Sequence, residues 1–129
     1  MKILLIDDDE WIRDSLRILF EAEGCHLMAF ETAEEGLVEL KDQNYDLIIV
    51  DYKLPGLDGL EFFKRTHNIH SDALKVLITA YRDDKVISEA KRLGVQGFIE
   101  KPFTSESLMA SLAHLIEMRE FRKQKNVIR

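Results

Sequence analysis

LIIVDYKLPGLDG, residues 47–59, is the stretch that decides the fold. Its first four residues are apolar and three of them are β-branched, which is typical of a strand buried on both faces of a parallel sheet. Pro55-Gly56 and Asp58-Gly59 then predict a turn. Asp51 is therefore expected at the carboxyl end of a central strand, where ligands bind in open α/β sheets. The alternative interpretation of Asp51 is a loop acid that only stabilises the turn.

Strand-like and helix-like segments alternate on both sides of this stretch. Gly24 and Gly94 are placed to end helices, and Thr32 with Glu35 forms a capping box that begins one. This order predicts an α/β protein of (βα)5 type, with a five-stranded parallel sheet, doubly wound by helices on both faces. The other predicted strands are Lys2–Ile6, Cys25–Phe30, Lys75–Thr79 and Gly97–Glu100, and the predicted helices are 11–23, 33–41, 60–67, 84–93 and one after Thr104.

The composition is that of one globular domain. The chain has 129 residues, of which 46% are hydrophobic and 33% are charged, so it can bury a core without disulfides. No apolar run is long enough to cross a membrane, and Met1-Lys2-Ile3 enters a strand without a signal-peptide pattern. The single cysteine, Cys25, has no metal-ligand spacing around it and fits a reducing compartment. We therefore expect a cytoplasmic protein without membrane contact.

Charge is distributed unevenly along the chain. The net charge is −6, but residues 119–129 carry +4, so the remainder is strongly acidic and we expect no direct nucleic-acid binding by this domain. We divide the chain into a domain at 1–117 and a helical extension, linker or tail at 118–129. A weak coiled-coil pattern in this last helix suggests dimerisation, and a frayed cationic end is the alternative. Its positions are His114, Met118, Phe121, Lys125 and Ile128.

Chemically active side chains follow four of the five strands. They are Asp7 and Asp8, Asp51, Thr79, and Lys101. Because the carboxyl ends of parallel strands lie at one edge of a sheet, these side chains are expected to come together. Neighbouring carboxylates raise each other's pKa unless a cation lies among them, and their oxygens suit Mg²⁺. A metal, a hydroxyl and an ammonium together suit a phosphoryl group, which a carboxylate can accept as a nucleophile. An acidic first turn of the next helix is the alternative reading of Asp7–Glu10.

These motifs resemble the receiver domain of two-component response regulators. The similarity covers residues 1 to about 117 and includes the spacing, since Thr79 and Lys101 follow Asp51 by 28 and 50 residues. The resemblance implies the flavodoxin-like or CheY-like version of the doubly wound fold. The matching pieces are Ile6-Asp7-Asp8, Val50-Asp51, Leu54-Pro55-Gly56, Asp58-Gly59, Thr79-Ala80 and Lys101-Pro102-Phe103.

The resemblance also implies a role for each site residue. Asp51 would be the phosphoacceptor, and Asp8, Asp51 and the backbone carbonyl of Lys53 would bind Mg²⁺ directly, with Asp7 acting through water. Thr79 and Lys101 would contact the phosphoryl oxygens. The family usually has a cis bond at the position of Lys101-Pro102.

Switching and phosphoryl lifetime involve four positions. Thr79 and Phe98 would rearrange on activation, as implied by the resemblance, while Lys53 and Tyr81 flank the path of attacking water and are expected to set the rate of dephosphorylation. The implied partners are a sensor histidine kinase or a His-phosphotransfer protein, and an output domain or partner protein. A phosphorylation-dependent homodimer is a further candidate.

Three other functions compete with that of a phosphoacceptor switch. An aspartyl-phosphate hydrolase of a related fold needs a second acid two residues after its nucleophile, and Lys53 stands there. A flavodoxin-like nucleotide module needs a loop rich in Gly or Ser/Thr after the first strand, which here is acidic. A receiver fold used only for docking would not need its acids, Thr79 and Lys101. The sequence thus predicts a switch, and not an enzyme that acts on an outside substrate.

Overall fold

Strands and helices alternate as the hydrophobic pattern predicts. The computed structural model describes residues 1–69 and 72–127, and within them five strands alternate with five helices. None of the helices described there combines the length and the apolar character needed to cross a membrane. In chain order the elements are β1 (Lys2–Ile6), α1 (Glu10–Ala22), β2 (His26–Phe30), α2 (Ala33–Asp42), β3 (Leu47–Asp51), α3 (Gly59–Arg65), β4 (Leu74–Thr79), α4 (Asp84–Arg92), β5 (Gly97–Glu100) and α5 (Ser105–Val127).

The five strands form one parallel sheet in the order β2-β1-β3-β4-β5. Strand β3 lies at its centre, and all five of its residues are buried, as predicted. In the register of the sheet Asp51 is the partner of Ile78, and Thr79 is the partner of Glu100. The strand ends that carry polar side chains therefore lie side by side.

The two faces of the sheet bury separate hydrophobic clusters. Because successive side chains of a strand point to opposite faces, Leu4 and Ile6 of β1 belong to one cluster and Ile3 and Leu5 to the other. The first cluster is completed by α2, α3 and α4, and the second by α1 and α5. This two-sided packing fixes the sheet as a rigid platform and confirms the doubly wound fold.

Side-chain caps set the beginnings of the helices. The Thr32 hydroxyl accepts a hydrogen bond from the Glu35 N–H at 3.2 Å, which confirms the predicted cap of α2, and Thr104 accepts one from Ser107 N–H at 3.0 Å. Asp9 caps α1 by accepting from the N–H groups of Trp11 and Ile12. The helix consequently begins at Glu10, one residue before the predicted start. Strand β2 begins at His26 instead of Cys25, while β4 begins one residue early at Leu74.

Helix α5 stays in contact with the domain beyond residue 117. Leu108 and Leu112 are buried, as predicted, and Leu115 is half-buried against the same cluster. One turn further on, the Arg119 Nη1 donates a hydrogen bond to the Asp46 carbonyl at 3.1 Å. Ile128 of the predicted coiled-coil pattern lies outside the described residues. The division at residue 117 and the role of the tail remain predictions.

Candidate functional site

Four strand ends bring the predicted side chains to one edge of the sheet. Asp7 follows β1, Asp51 ends β3, Thr79 ends β4 and Lys101 follows β5. Asp7 is fully buried, and Asp51 and Thr79 are only 4% and 7% exposed. Buried polar groups persist only where partners compensate for lost water. The hydrogen-bond and ion-pair partners of these three residues therefore indicate which ligands the site can bind.

Lys101 links the two buried acids. Its Nζ lies 3.3 Å from Asp7 Oδ2 and 3.3 Å from Asp51 Oδ2. The Lys101-Pro102 peptide bond is cis, as the resemblance implies. One ammonium thus faces two carboxylates, so the inner site carries an excess of negative charge that a second cation would offset.

The acid cluster has the chemistry of a magnesium site. Asp7, Asp8 and Asp51 each offer one carboxylate oxygen, and the three oxygens lie within 4.8 Å of one another. Asp7 Oδ1 accepts a hydrogen bond from the Asp9 N–H at 2.9 Å, whereas the buried Oδ2 accepts no well-aligned hydrogen bond and is compensated by the ion pair with Lys101 at 3.3 Å. Asp8 is exposed to solvent. Hard oxygen ligands that have solvent on one side suit a cation that keeps part of its water.

Burial raises the pKa of both inner acids. The pKa of Asp51 rises from its ordinary 3.8 to about 6, first because burial penalises the charged form and second because Asp7 repels it, while Lys101 opposes both. Burial likewise raises the pKa of Asp7. For Lys101 burial alone would lower the pKa, but the two acids raise it above its ordinary value. Like-charge repulsion, predicted from the sequence, is therefore present but smaller than the effect of burial.

We expect this raised pKa to make the metal-free protein less stable as the pH rises from about 4 to about 6. In that interval the folded state retains a proton on Asp51 that the unfolded state has released, and deprotonation costs about 3 kcal/mol for a rise of about two units. The cost becomes constant about one pH unit above the folded-state pKa of about 6, where both states have released the proton. Urea unfolding of the parent and Asp51→Asn in EDTA, from pH 4 to pH 7, measures it.

The difference between parent and variant isolates Asp51 from the other carboxyl groups. Asp51→Asn should match the parent near pH 4 and be more stable by about 2–3 kcal/mol at pH 7. A constant difference across the whole range would contradict the raised pKa.

The Thr79 hydroxyl is engaged by its own loop. It donates a hydrogen bond to the Tyr81 carbonyl at 2.8 Å. The hydroxyl belongs to a buried residue at the same edge as Asp51, so a change of its bond would connect the acid site with the β4–α4 loop. The structure thus brings Asp7, Asp8, Asp51, Thr79 and Lys101 to one edge of the sheet, as predicted.

Comparison with known proteins agrees with this geometry. The family model described as "Response regulator receiver domain" matches residues 3–113. The chain is a response regulator receiver domain. Receiver domains are phosphoacceptor switches of two-component systems rather than enzymes acting on outside substrates, and they generally depend on Mg²⁺, for which this receiver domain has the acid cluster.

Two curated relatives and one solved structure illustrate the similarity. The receiver domain is 36% identical over 125 residues to the probable C4-dicarboxylate response regulator DctR of Halalkalibacterium halodurans. The matched region is 95% of this chain but only 54% of that protein. The receiver domain is 33% identical to sporulation initiation phosphotransferase F of Bacillus subtilis, covering 83% of this chain and 86% of that one. The chain therefore spans about half the length of DctR but most of the smaller relative.

The structural likeness extends over the whole fold. A CheY-like receiver domain protein from Methanospirillum hungatei JF-1 superimposes with a TM-score of 0.87 at 27% identity, covering 94% of this chain and 97% of that one. This match and the sheet order together show the predicted fold.

Phe98 and Thr79 of the receiver domain line one small cavity. Phe98 is half-buried and packs against the cluster on the α2–α3–α4 side of the sheet. The cavity has a volume of about 90 Å³, and Ile87 of α4 also lines it. A side chain beside free volume can change its rotamer at low cost, which is the geometry that a switch role for Phe98 requires.

Lys53 and Tyr81 each follow a site residue, Asp51 and Thr79, by two positions. Both are exposed, Tyr81 by 79%. Tyr81, Trp11 and Lys101 line a cavity of about 500 Å³ beside the acids. No hydrogen bond or ion pair within residues 1–69 and 72–127 fixes the Lys53 side chain. The metal-ligand role of its carbonyl and the kinetic role of both residues remain predictions.

Two residues of the site were not singled out in the sequence. The Arg13 Nη1 donates a hydrogen bond to the Asp7 carbonyl at 2.8 Å, and Gly59 lies against the Asp51 carbonyl. In the sequence, Gly59 is part of the turn and of the Asp58-Gly59 match, and Arg13 lies within the predicted first helix, with no role assigned to either position. Both residues contact main-chain carbonyl groups, and hydrophobic periodicity in the sequence does not predict such contacts.

Proposed function

We propose that Asp51 accepts a phosphoryl group with the help of Asp7, Asp8, Thr79 and Lys101. The observation that carries this assignment is the position of Asp51, which ends the central strand within 4.8 Å of two other acids and 3.3 Å from an ammonium. Incubation with acetyl phosphate and Mg²⁺, followed by intact-mass spectrometry, tests the assignment. Failure of the parent chain to gain the mass of one phosphoryl group would overturn it.

The chemistry assigns one task to each residue. A carboxylate oxygen of Asp51 attacks phosphorus, the bond from phosphorus to the donor's imidazole nitrogen or acyl oxygen breaks, and the donor leaves with that electron pair. Lys101, already 3.3 Å from Asp51 Oδ2, supplies positive charge beside the incoming oxygens. Bound Mg²⁺ would offset the charge of the transferring group. Asp8, Asp51 and the Lys53 carbonyl would bind that ion, with Asp7 acting through water.

The same residues support a conformational response. We propose that the Thr79 hydroxyl exchanges its bond to the Tyr81 carbonyl for one to a phosphoryl oxygen. This exchange would shift the β4–α4 loop, and the cavity shared with Phe98 gives that ring room to follow. A phosphoryl group thereby biases an equilibrium between two surface shapes.

The partners follow from this chemistry and from the family. We propose a sensor histidine kinase or His-phosphotransfer protein as donor, an output domain or partner protein as reader, and the cytoplasm as the location. The chain spans about half the length of DctR, so the comparison with that protein does not identify the output, and the output stated here is proposed. Residues 118–129 would serve as a linker or, in a phosphorylation-dependent homodimer, as the dimerising segment.

We expect Asp8→Asn to weaken Mg²⁺ binding by more than tenfold, because it removes the charge of an exposed ligand. Loss of a group that only supports a ligand already lowers metal affinity by about 10-fold or more, so loss of a ligand should cost more. Titration followed by the emission of Trp11, which borders the same cavity as Lys101, measures the affinity. Asp14→Asn on the exposed side of α1 is the matched control, since it removes an equal charge. Equal affinities of the two variants would remove Asp8 from the ligands.

We expect Tyr81→Ala to shorten the lifetime of the phosphorylated form severalfold. The ring stands exposed beside the cavity next to Lys101 and would shield the phosphoryl group from water by its bulk. Decay of the phosphorylated mass after removal of acetyl phosphate measures the lifetime. Tyr81→Phe keeps the bulk and should decay like the parent; if Tyr81→Ala does so too, Tyr81 has no part in dephosphorylation.

A further inference from the structure

Asp8 is held in place through the main chain alone. Its carboxylate makes no hydrogen bond or ion pair with the described residues, 1–69 and 72–127. The direction of its Cα–Cβ bond, and with it the region that the carboxylate can reach, is therefore set by the two peptide groups on either side of Asp8. The carbonyl of the first, at Asp7, accepts from Arg13 Nη1 at 2.8 Å. The N–H of the second, at Asp9, donates to Asp7 Oδ1 at 2.9 Å.

Helix α1 holds the backbone of Arg13 in place for this contact. The Asp9 side chain caps the helix, and the Asp9 carbonyl accepts from the Arg13 backbone N–H at 3.1 Å. The Arg13 side chain then reaches back over the first turn and is half-buried there. Because both ends of this bridge are tied to regular structure, it joins the first turn of the helix to the end of β1.

We propose that Arg13 is a positioning residue for the metal site, orienting Asp8 by fixing the Asp7–Asp8 peptide group. This inference rests on the proposed function, because it assumes that Asp8 binds Mg²⁺. Groups that orient ligands in this way commonly affect metal affinity by about 10-fold or more.

A competing role for Arg13 would be to lower the negative charge of the cluster. The influences that shift the pKa of Asp7 are burial, the Asp9 N–H, Lys101 and Asp8, and Arg13 is not among them, whereas its contact with the Asp7 carbonyl is short and direct. The two roles also predict opposite results. Removing a positive charge near a cation site favours cation binding, whereas loss of an orienting contact weakens it.

Arg17 provides the matched control on the same helix. It lies one turn further along, is 42% exposed, and pairs with Asp14 at 3.7 Å on the surface. Arg17→Met therefore removes the same charge as Arg13→Met without touching the β1–α1 turn. Arg13→Lys retains the charge and part of the hydrogen-bonding capacity.

The experiment measures Mg²⁺ affinity by Trp11 emission and, separately, the thermal unfolding midpoint without metal, for the parent and the three variants. We expect Arg13→Met to bind Mg²⁺ about 10-fold more weakly than Arg17→Met, with Arg13→Lys in between and Arg17→Met equal to the parent or slightly tighter.

Equal or tighter binding by Arg13→Met than by Arg17→Met would overturn the inference, whatever happens to the unfolding midpoint. If Arg13→Met does not fold, Arg13→Lys decides: an affinity equal to that of the parent overturns the inference, and a lower one supports it. Absence of Mg²⁺ binding by the parent would overturn the proposed metal site itself and this inference with it, which distinguishes the two failures.

Discussion

Asp51→Asn is expected to take up no phosphoryl group from acetyl phosphate in the presence of Mg²⁺, while the parent gains one. The amide has no anionic oxygen to attack phosphorus. Asp7 offers no substitute, because it is fully buried and held by Lys101 and the Asp9 N–H. Intact-mass spectrometry at several incubation times measures the uptake.

The control for this result is Asp58→Asn, on the loop that follows Asp51. The Asp58 Oδ1 caps α3 by accepting from the Glu61 N–H at 2.8 Å, and Asn caps helices about as well as Asp. The control should therefore gain mass like the parent. An undiminished mass gain in Asp51→Asn would show that another carboxylate, such as the exposed Asp8, is the acceptor.

The grouping of the site residues was predictable because it depends on few details. Once hydrophobic runs ending at Ile6, Val50, Thr79 and Glu100 are read as parallel strands, their carboxyl ends must meet at one edge, wherever each strand begins. Errors of one residue at the starts of β2 and β4 left the site unchanged. The positions of the site residues therefore depend on the order and direction of the strands, and not on where each strand begins.

Hydrogen-bond partners were not predictable in the same way. The hydrogen bond from Thr79 to the Tyr81 carbonyl and the ion pair of Asp7 Oδ2 with Lys101 depend on atomic positions within a fraction of an ångström. The sequence indicated repulsion among the acids, but how deeply Asp51 is buried follows from the packing of the whole sheet. Burial, the larger cause of its raised pKa, therefore appeared only in the structure.

Helix caps were predicted unevenly for a physical reason. Thr32 and Thr104 each stand directly before a predicted helix, and Thr32 is followed three residues later by Glu35, so their capping role is visible in the local sequence. Asp9 stands in a run of four acids, any of which could cap a helix or bind a cation. The structure separates these roles, with Asp9 capping α1, Asp7 buried against Lys101, and Asp8 left exposed.

Gly59→Ala is expected to slow phosphorylation by up to about 100-fold, because displacements near 1 Å can have effects of that size. A Cβ at Gly59 would lie 2.5 Å from the Asp51 carbonyl oxygen and 3.0 Å from the Tyr52 Cα. Both are main-chain atoms and cannot turn aside as a side chain can. Gly59 also donates a hydrogen bond to the Tyr52 carbonyl at 2.8 Å, so it is held close to the strand end.

Stability and rate should respond differently to this change. Overpacking costs about 1–3 kcal/mol, and the better helix propensity of Ala returns up to about 1 kcal/mol at the first residue of α3. The net loss of stability is therefore modest, so the variant should fold. The larger effect is the shift of the strand end that carries Asp51.

Gly36→Ala separates this effect from a general loss of stability. Its Cβ would lie 2.2 Å from Ile6 Cδ1, the end of a side chain, and the three atoms nearest to it all belong to the side chains of Ile6 and Phe62. We expect Gly36→Ala to lower the free energy of unfolding yet phosphorylate at the parent's rate. Initial rates of mass gain with acetyl phosphate, under conditions where urea unfolding shows each variant fully folded, compare the three proteins. Equal rates for Gly59→Ala and the parent would show that the Asp51 strand end tolerates displacement, and a matching decrease in Gly36→Ala would attribute the loss to overpacking in general.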